Sequence, residues 1–408
     1  MNNKTFTKRI QESLSLTKSG ARWEQLMVTL LRRLELDPDA RGDAEREYKK
    51  LAVRVADYLD LPHHEVNVFP QGSMRTQTTI RPPGRTNFDL DIVVALSGPR
   101  YSDPDPEVLF EEFGEALAGD ESLTGSPTPK RRCWRLQYPN KPYYFDVTPA
   151  VPDPSHTYGA ALRVRDPETA WSPSNPTEFA EWFCERADLQ FSFRSATGLG
   201  SLVEARKSVE PLPNEPVRID DILRRTIQLV KLHRDNLYFT AGEKQKEGCP
   251  ISVIIVTLAG RAFENIWLTR RNSFTSPIEV VLAVVEEMPS VIERDAAGDY
   301  FVSNPKLASE NFAEKWNSDQ GLRAGEFWRW HQRLQDDLES LLTDEYSKSN
   351  EAKVKAIFGQ VGVDAWKASM AETQPTAPLL KGLVASSGIE VANPRMVTPV
   401  SRNTRTLA

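Results

Sequence analysis

The sequence predicts an α+β protein of two lobes, a mixed α/β half followed by an all-helical half. Three observations carry that reading. Apolar residues recur at helical spacing over roughly the first sixty positions, the period changes to two from about Glu65, and strand signals fade after about residue 210. The chain accordingly divides into 1–210, a sheet-bearing domain with long N-terminal helices, 211–373, a helical domain, and 374–408, a flexible tail.

Trp23, Leu26, Met27, Leu30, Leu31 and Leu34 line one helix face, and Asp37-Pro38 marks a break. A second helix carries Tyr48, Leu51, Ala52, Val55, Tyr58 and Leu59, and ends before Leu61-Pro62. Val66 and Val68 then alternate as in a strand, and Gln71-Gly72-Ser73 reads as a turn. A loop rich in Pro, Gly and Arg, residues 81–85, leads into a strand from Phe88 to Leu96. Runs from Cys133 to Tyr138 and Tyr143 to Thr148 flank Pro139-Asn140-Lys141-Pro142, the pattern of a hairpin. Residues 149–176, rich in proline and polar residues, are expected to wrap the surface. Asp220 is the expected cap of a helix running through Leu237, and Pro250 opens another reaching about Trp267. Further helices are expected over 277–290, 309–317, 324–343 and 350–370. From Gln374 onward there are several Pro, Ser and Thr, almost no acid and weak periodicity, hence the tail.

Composition excludes several classes. The chain has 408 residues, 39% of them hydrophobic and 26% charged, an ordinary balance for a globular protein of two or three domains. A formal net charge of −6 argues against tight, sequence-independent binding of stable duplex nucleic acid, which needs many Lys/Arg–phosphate contacts. A local basic cleft for one or two nucleotides stays compatible with it. Three scattered cysteines, Cys133, Cys184 and Cys249, form no CxxC pair, so neither a disulfide framework nor a zinc site is suggested. The N-terminus lacks the apolar core of a signal peptide, and the longest apolar run, Ile251 to Ala259, is too short to span a bilayer. The expectation is a cytoplasmic, reduced protein without a membrane segment. No GxGxxG, GxxxxGK[ST], HExxH or G-x-S-x-G motif appears, and the five histidines have no ligand spacing.

The strongest constellation is Gly72-Ser73 followed, sixteen positions after Ser73, by Asp89-Leu90-Asp91. Residues two apart in a strand share a face, so Asp89 and Asp91 project together while Leu90, Ile92 and Val94 face a core. Carboxylates that close repel unless a cation compensates. Mg²⁺ answers that need, commonly pairing one or two carboxylates with substrate phosphates. A bare Asp-x-Asp also fits a solvent-facing pair at a strand edge. The Gly-Ser turn adds a backbone that approaches closely and N–H and hydroxyl groups for phosphate oxygens. Asp146, between Phe145 and Val147 on the second hairpin strand, supplies a third acid that a neighbouring strand would bring to the pair. The alternative for Asp146 is an exposed position on an edge strand. In the helical half, Arg224, Lys231 and Arg234 share a face, readable as a phosphate-facing or a solvated stripe. Ser252 lies in the first helical turn after Pro250, where free N–H groups favour phosphate; an ordinary helix-start serine fits as well.

These residues match a family. Gln71-Gly72-Ser73 through Asp89-Leu90-Asp91-Ile92-Val93-Val94, then Asp146, resembles the core of the polymerase-β-like nucleotidyltransferases. More narrowly, the chain resembles the bacterial cGAS/DncV-like nucleotidyltransferases (CD-NTases), from about residue 15 to 370. Leu229 to Asp235 is similar to the family's helix bearing a phosphate-contacting lysine, here Lys231. Ser252 in Cys249-Pro250-Ile251-Ser252 matches its triphosphate-binding serine. Ser303-Asn304-Pro305 with Glu310 to Trp316 is similar to a signature of its helical domain.

The resemblance implies a two-lobed core with an oligoadenylate-synthetase-like helical domain. It implies two Mg²⁺ (or Mn²⁺) ions on Asp89, Asp91 and Asp146, with NTP substrates clamped by Gln71, Gly72, Ser73, Lys231 and Ser252. The implied reaction joins NTPs into a cyclic di- or trinucleotide second messenger of anti-phage defence (CBASS), releasing pyrophosphate. The alternatives are a linear nucleotidyltransferase acting on RNA or another acceptor, and an inactive nucleotide-binding scaffold. In some operons of the family a ubiquitin-transfer-like partner conjugates the enzyme's C-terminus, and the ending Arg405-Thr406-Leu407-Ala408 would suit such a partner.

Overall fold

The computed structural model describes residues 4–35, 37–81, 87–120, 122–156, 159–193 and 221–371. The expected tail from 374, the boundary near 210 and most of the loop 81–85 lie outside these residues.

Three helices come first, α1 (Phe6–Thr17), α2 (Gly20–Arg32) and α3 (Pro38–Tyr58). The break at Asp37-Pro38 is a helix start. Asp37 accepts from the Asp39 N–H, and Pro38 takes the first helical position, where no N–H is needed. Strand β1 (Val66–Pro70) runs into a five-residue helix, α4 (Gly72–Thr76), so the expected Gly-Ser turn is the opening of a helical turn.

Strands β2 (Phe88–Leu96), β3 (Thr128–Pro129), β4 (Trp134–Gln137), β5 (Tyr143–Pro152), β6 (Leu162–Asp166) and β7 (Ala170–Ser174) complete a seven-stranded mixed sheet with β1. Its order is β1-β2-β5-β4-β3, with β6 on the far part of β5 and β7 on β6. Among the described residues only the β2–β5 pair of this sheet is parallel. The hairpin forms as expected, β4 against β5, with Arg135 opposite Asp146. The surface wrap expected over 149–176 is corrected. β5 continues to Pro152, and β6 and β7 extend the sheet, because Ala150, Leu162 and Val164 bury against Val93 on its second face. Pairing and burial there outweigh the prolines, of which Pro149 and Pro173 sit within the ladders themselves.

Helix α5 (Pro106–Ala118) joins α3 over the first sheet face, where Phe88, Leu90, Ile92 and Val94 are buried against Leu51, Val55, Phe113 and Leu117. Helix α6 (Pro176–Ala187) leads toward the second lobe. That lobe comprises α7 (Ile222–Phe239), α8 (Glu243–Glu247), α9 (Ser252–Arg270), α10 (Pro277–Glu287), α11 (Leu322–Leu342) and α12 (Glu351–Ala371). The cap of α7 is Asp221, whose side chain accepts from the Arg224 N–H, one residue past the expected Asp220.

Two small ribbons interrupt the helices: β8 (Glu293–Arg294) with β9 (Tyr300–Phe301), and β10 (Ser303–Asn304) with β11 (Leu307–Asn311). The helix expected over 309–317 is therefore a strand followed by a single 3-10 turn, Glu314–Asn317. Asn311 explains it. Its Oδ1 accepts from the Val302 and Ala313 N–H groups and its Nδ2 donates to the Tyr300 carbonyl, an anchoring that competes with helix.

Helices α1 and α2 pack with the helical lobe rather than with the sheet. Trp23 is fully buried there, its ring 4.7 Å from Tyr346 and 6.0 Å from Trp366. The Ser303-Asn304-Pro305 signature sits at the joint between lobes. Asn304 Nδ2 donates to Glu310 Oε2 at 2.7 Å and to the Asn175 carbonyl at 3.2 Å, and the Asn175 N–H donates to Glu310 at 2.9 Å. Asn175 in turn caps α6, so one buried polar cluster ties the β10–β11 ribbon to the end of β7.

Candidate active site

Asp89 and Asp91 project from one face of β2, opposite the buried Leu90 and Ile92. The parallel register sets Asp91 beside Asp146 and Asp89 beside Tyr144. Carboxylate oxygens of Asp89, Asp91 and Asp146 consequently all lie within 4.8 Å of one another. Burial, then the charges of Asp89 and Asp146, push the Asp91 carboxyl up to about 8, with partial relief from Lys231 and Arg135. Near neutral pH such a set holds either a proton or a cation. Three oxygen donors crowded in this way suit a hard divalent ion.

Arg135, facing Asp146 across the hairpin, donates from Nε to Oδ1 at 2.7 Å and from Nη2 to Oδ2 at 2.6 Å. Its guanidinium lies 4.0 Å from the Tyr144 ring centroid. This two-pronged bond fixes the plane of the carboxylate. Arg135 was legible in principle, because the predicted hairpin already pairs positions 135 and 146.

Gly72 opens α4 directly above the pair. Its φ is +58°, and a Cβ there would stand 2.5 Å from Asp91 Oδ2. Glycine is required twice over, by the backbone conformation and by the approach to the acid. Gln71 has a different part from the one expected: it does not line the cleft, and its N–H donates to the Asp91 carbonyl at 2.9 Å, anchoring α4 to β2.

The opposite wall is α7. Arg224, Gln228 and Lys231 share one helix face and donate to three carbonyls of the segment after α4. Arg224 Nε reaches Thr76 O at 2.9 Å, Gln228 Nε2 reaches Thr79 O at 3.3 Å, and Lys231 Nζ reaches Thr78 O at 2.9 Å. The expected basic stripe thus divides. Arg224 is ion-paired with Asp221 and held on backbone, whereas Lys231 and Arg234 border the cleft. Burial, then the charge of Arg234, push the Lys231 ammonium down to about 8, against the pull of Asp235, Asp91 and Asp89. Ser252 is the first residue of the nineteen-residue α9, and its Oγ accepts from Arg234 Nη1 at 3.1 Å. His233 turns away from the cleft into the helical core, bonded to Asp337 at 3.1 Å.

Between the walls lies a cleft of about 640 Å³ bordered by Gly72, Ser73, Asp89, Asp91, Lys231 and Ser252. Thr78 and Thr79 also line it and were not foreseen. One wall is a cluster of carboxylates, the other a set of ammonium, guanidinium and hydroxyl donors. A ligand that is itself a cation–polyanion pair satisfies both.

Comparison with known proteins agrees. Residues 23–186 match the Second Messenger Oligonucleotide or Dinucleotide Synthetase domain. The chain is 28% identical over 254 residues to the c-di-GMP synthase of Roseivirga ehrenbergii. That match spans 62% of this chain and 61% of the length of the relative. Among solved structures, the fold is shared with the CD-NTase CdnG of Bradyrhizobium diazoefficiens in complex with GTP (TM-score 0.61, 22% identity, 84% of this chain and 97% of that one). It is shared too with E. coli MS115-1 CdnC with ATP (0.56, 12%, 83% and 97%). A third is Vibrio cholerae DncV in its 3'-deoxy GTP bound form (0.54, 15%, 82% and 94%). Residues 23–186 therefore carry the likeness to the synthetase domain, and the chain as a whole shares its fold with CD-NTases of known structure.

Proposed function

We propose that the protein joins nucleoside triphosphates into a cyclic di- or trinucleotide with release of pyrophosphate, as a second messenger of anti-phage defence. One observation carries the reading: Asp89 and Asp91, with Asp146 within 4.8 Å of them, border with Ser73 one wall of a cleft whose other wall presents Lys231 and Ser252. The domain match and the c-di-GMP synthase likeness support it, and the GTP and ATP named with the structural neighbours support NTP substrates.

Asp89, Asp91 and Asp146 are the residues to hold Mg²⁺ or Mn²⁺, in a two-ion arrangement. Bound metal supplies positive charge against the donor phosphates and lowers the pKa of an attacking hydroxyl. The chain's own residues do the rest. Ser73, Lys231 and Ser252 bind triphosphate oxygens as donors, and Gly72 lets the backbone close on them. Asp146, its plane fixed by Arg135, faces the acceptor ribose and is the group to take its proton. Holding the linear product for a second round closes the ring. No described helix is long and apolar enough to cross a membrane, and the reaction belongs to the cytoplasm in this reading. The C-terminal conjugation partner implied by the resemblance draws no support from these comparisons.

The test is incubation with each labelled NTP and with mixtures, plus Mg²⁺ or Mn²⁺, followed by phosphatase. A phosphatase-resistant product is expected. A product that phosphatase degrades at its exposed terminal phosphate turns the reading to linear transfer, and absence of pyrophosphate in every mixture sinks the enzyme.

A further inference from the structure

Ser73 and Ser252 border the cleft from opposite walls, and each accepts a hydrogen bond from a neighbour. Thr79 Oγ1 donates to Ser73 Oγ at 3.3 Å. Arg234 Nη1 donates to Ser252 Oγ at 3.1 Å. A serine hydroxyl has one hydrogen and two acceptor sites, and a guanidinium can only donate. With one acceptor site of each serine taken, its hydrogen must turn elsewhere. Among the described residues no acceptor takes either hydrogen, and the space left to both is the cleft.

We infer that Thr79 and Arg234 are positioning residues that aim the Ser73 and Ser252 hydroxyls, as donors, at an anionic ligand that offers only acceptors. The inference rests on the reading of these serines as a triphosphate clamp and adds what orients them. A freely rotating hydroxyl adapts to donors and acceptors alike, whereas each of these has one acceptor site filled and its hydrogen turned to the cleft. Phosphate oxygens, which accept without donating, are the matching ligand.

Both positioners are themselves held from α7. The Thr79 carbonyl takes the Gln228 amide, and Gln228 Oε1 in turn accepts from Arg225 at 3.0 Å. Arg234 is fixed by the Pro250 carbonyl at 2.9 Å and by Asp235 at 2.8 Å. The Pro250 contact also sets the turn that starts α9. One helix therefore orients hydroxyls on both sides of the cleft, one directly through Arg234 and one through the Thr76–Thr79 segment.

The experiment is steady-state pyrophosphate release with GTP and with ATP, at saturating Mg²⁺, for two double-mutant cycles. One pairs Ser73→Ala with Thr79→Val, which keeps the shape of the side chain and removes its donor. The other pairs Ser252→Ala with Arg234→Lys, which keeps charge but loses the planar guanidinium whose Nη1 serves Pro250 and Ser252 together while Nε holds Asp235. Each single variant is expected to raise KM for the NTP about tenfold, with a smaller change in kcat. Each double variant should be no worse than its serine variant alone, and Thr79→Ser should restore KM. Thermal unfolding accompanies every variant, and if Arg234→Lys loses its transition the Thr79 cycle decides alone. Multiplicative losses within the cycles, or Thr79→Val and Arg234→Lys leaving KM unchanged while the serine variants raise it, overturn the positioning role alone. If the two serine variants leave KM unchanged, the triphosphate clamp falls and the inference with it.

Discussion

On the sheet side of the cleft, Asp89, Asp91 and Asp146 crowd three carboxylates onto two neighbouring strands, with Arg135 and Lys231 as partial counterweights. On the helical side, Lys231 and Arg234 rest on the carbonyls of Thr78 and Pro250, each polar group already satisfied before any ligand arrives. The first wall crowds like charges at the expense of stability, and in the second the cost is the burial of one ammonium, Lys231, already bonded to backbone. Repulsion between like charges is relieved by a proton or a cation, while donors pinned on backbone bind an anion without rearranging. Function and folding therefore pull apart most strongly at the triad and less on α7, where Lys231 and Arg234 rest on backbone carbonyls.

Asp89→Asn breaks the contrast most severely. Removing one carboxylate should lower turnover by at least about 10³-fold, the several kcal/mol that a correctly held metal supplies. The metal-free variant should unfold at the same or a higher temperature than the parent, because Asp91 loses the like charge that acts on it most strongly. A turnover loss accompanied by a clear fall in Tm would mean that the acid is structural. Next in size is Gly72→Ala. The added methyl meets Asp91 Oδ2 and forces a left-handed residue without glycine, costing about 1–2 kcal/mol of stability. It should cost about 10² in kcat/KM through displaced geometry. Near-parental activity would show that Gly72 need not approach Asp91 so closely.

The smallest effect sharpens the comparison through pH. The Asp91 carboxyl lies at about 8 in the fold, above its ordinary value of 3.8, so its contribution is favourable at acid pH and is lost as pH rises through about 8. The Lys231 ammonium lies at about 8, below its ordinary 10.5, so its contribution is present above that ordinary value and is lost as pH falls through about 8. Together they set a minimum near pH 8 for the metal-free protein. Mg²⁺ should then raise Tm by a few degrees more at pH 8 than at pH 6, since below 8 it must displace a proton. A metal-induced shift of equal size at both pH values would remove Asp91 from the metal site.

Much of this was legible before the structure. The alternation Phe88, Leu90, Ile92, Val94 assigned the acids to the open face of β2, and the hairpin around residues 139–142 brought Asp146 into a strand. Helices α5 and α6 were not read from the sequence, although Asp105-Pro106 and Asn175-Pro176, a capping side chain before a proline at the first helical position, were signals that could have found them. The strands β6 and β7 were hidden among the prolines and polar residues of 149–176, which argue against pairing, and it is burial of Leu162 and Val164 against Val93 that seats β6, with β7 paired on it. The 309–317 segment failed for the opposite reason: its apolar spacing suits a helix, but the Asn311 side chain holds an extended ribbon.

What the sequence determined alone is therefore local: which residues alternate, which acids share a face, and where a glycine must bend the chain. It also determined the candidate chemistry, since two close carboxylates call for a cation wherever they sit. Only the tertiary structure decided the partners. The parallel pairing that sets Asp91 beside Asp146 joins positions 55 residues apart with no local signal of register. The lobe contact that brings Lys231 onto Thr78 and Arg234 onto Ser252 depends on packing of whole helices. Local periodicity reports how a residue projects from its own backbone. It does not report what lies opposite, because that is settled by the burial of both lobes at once.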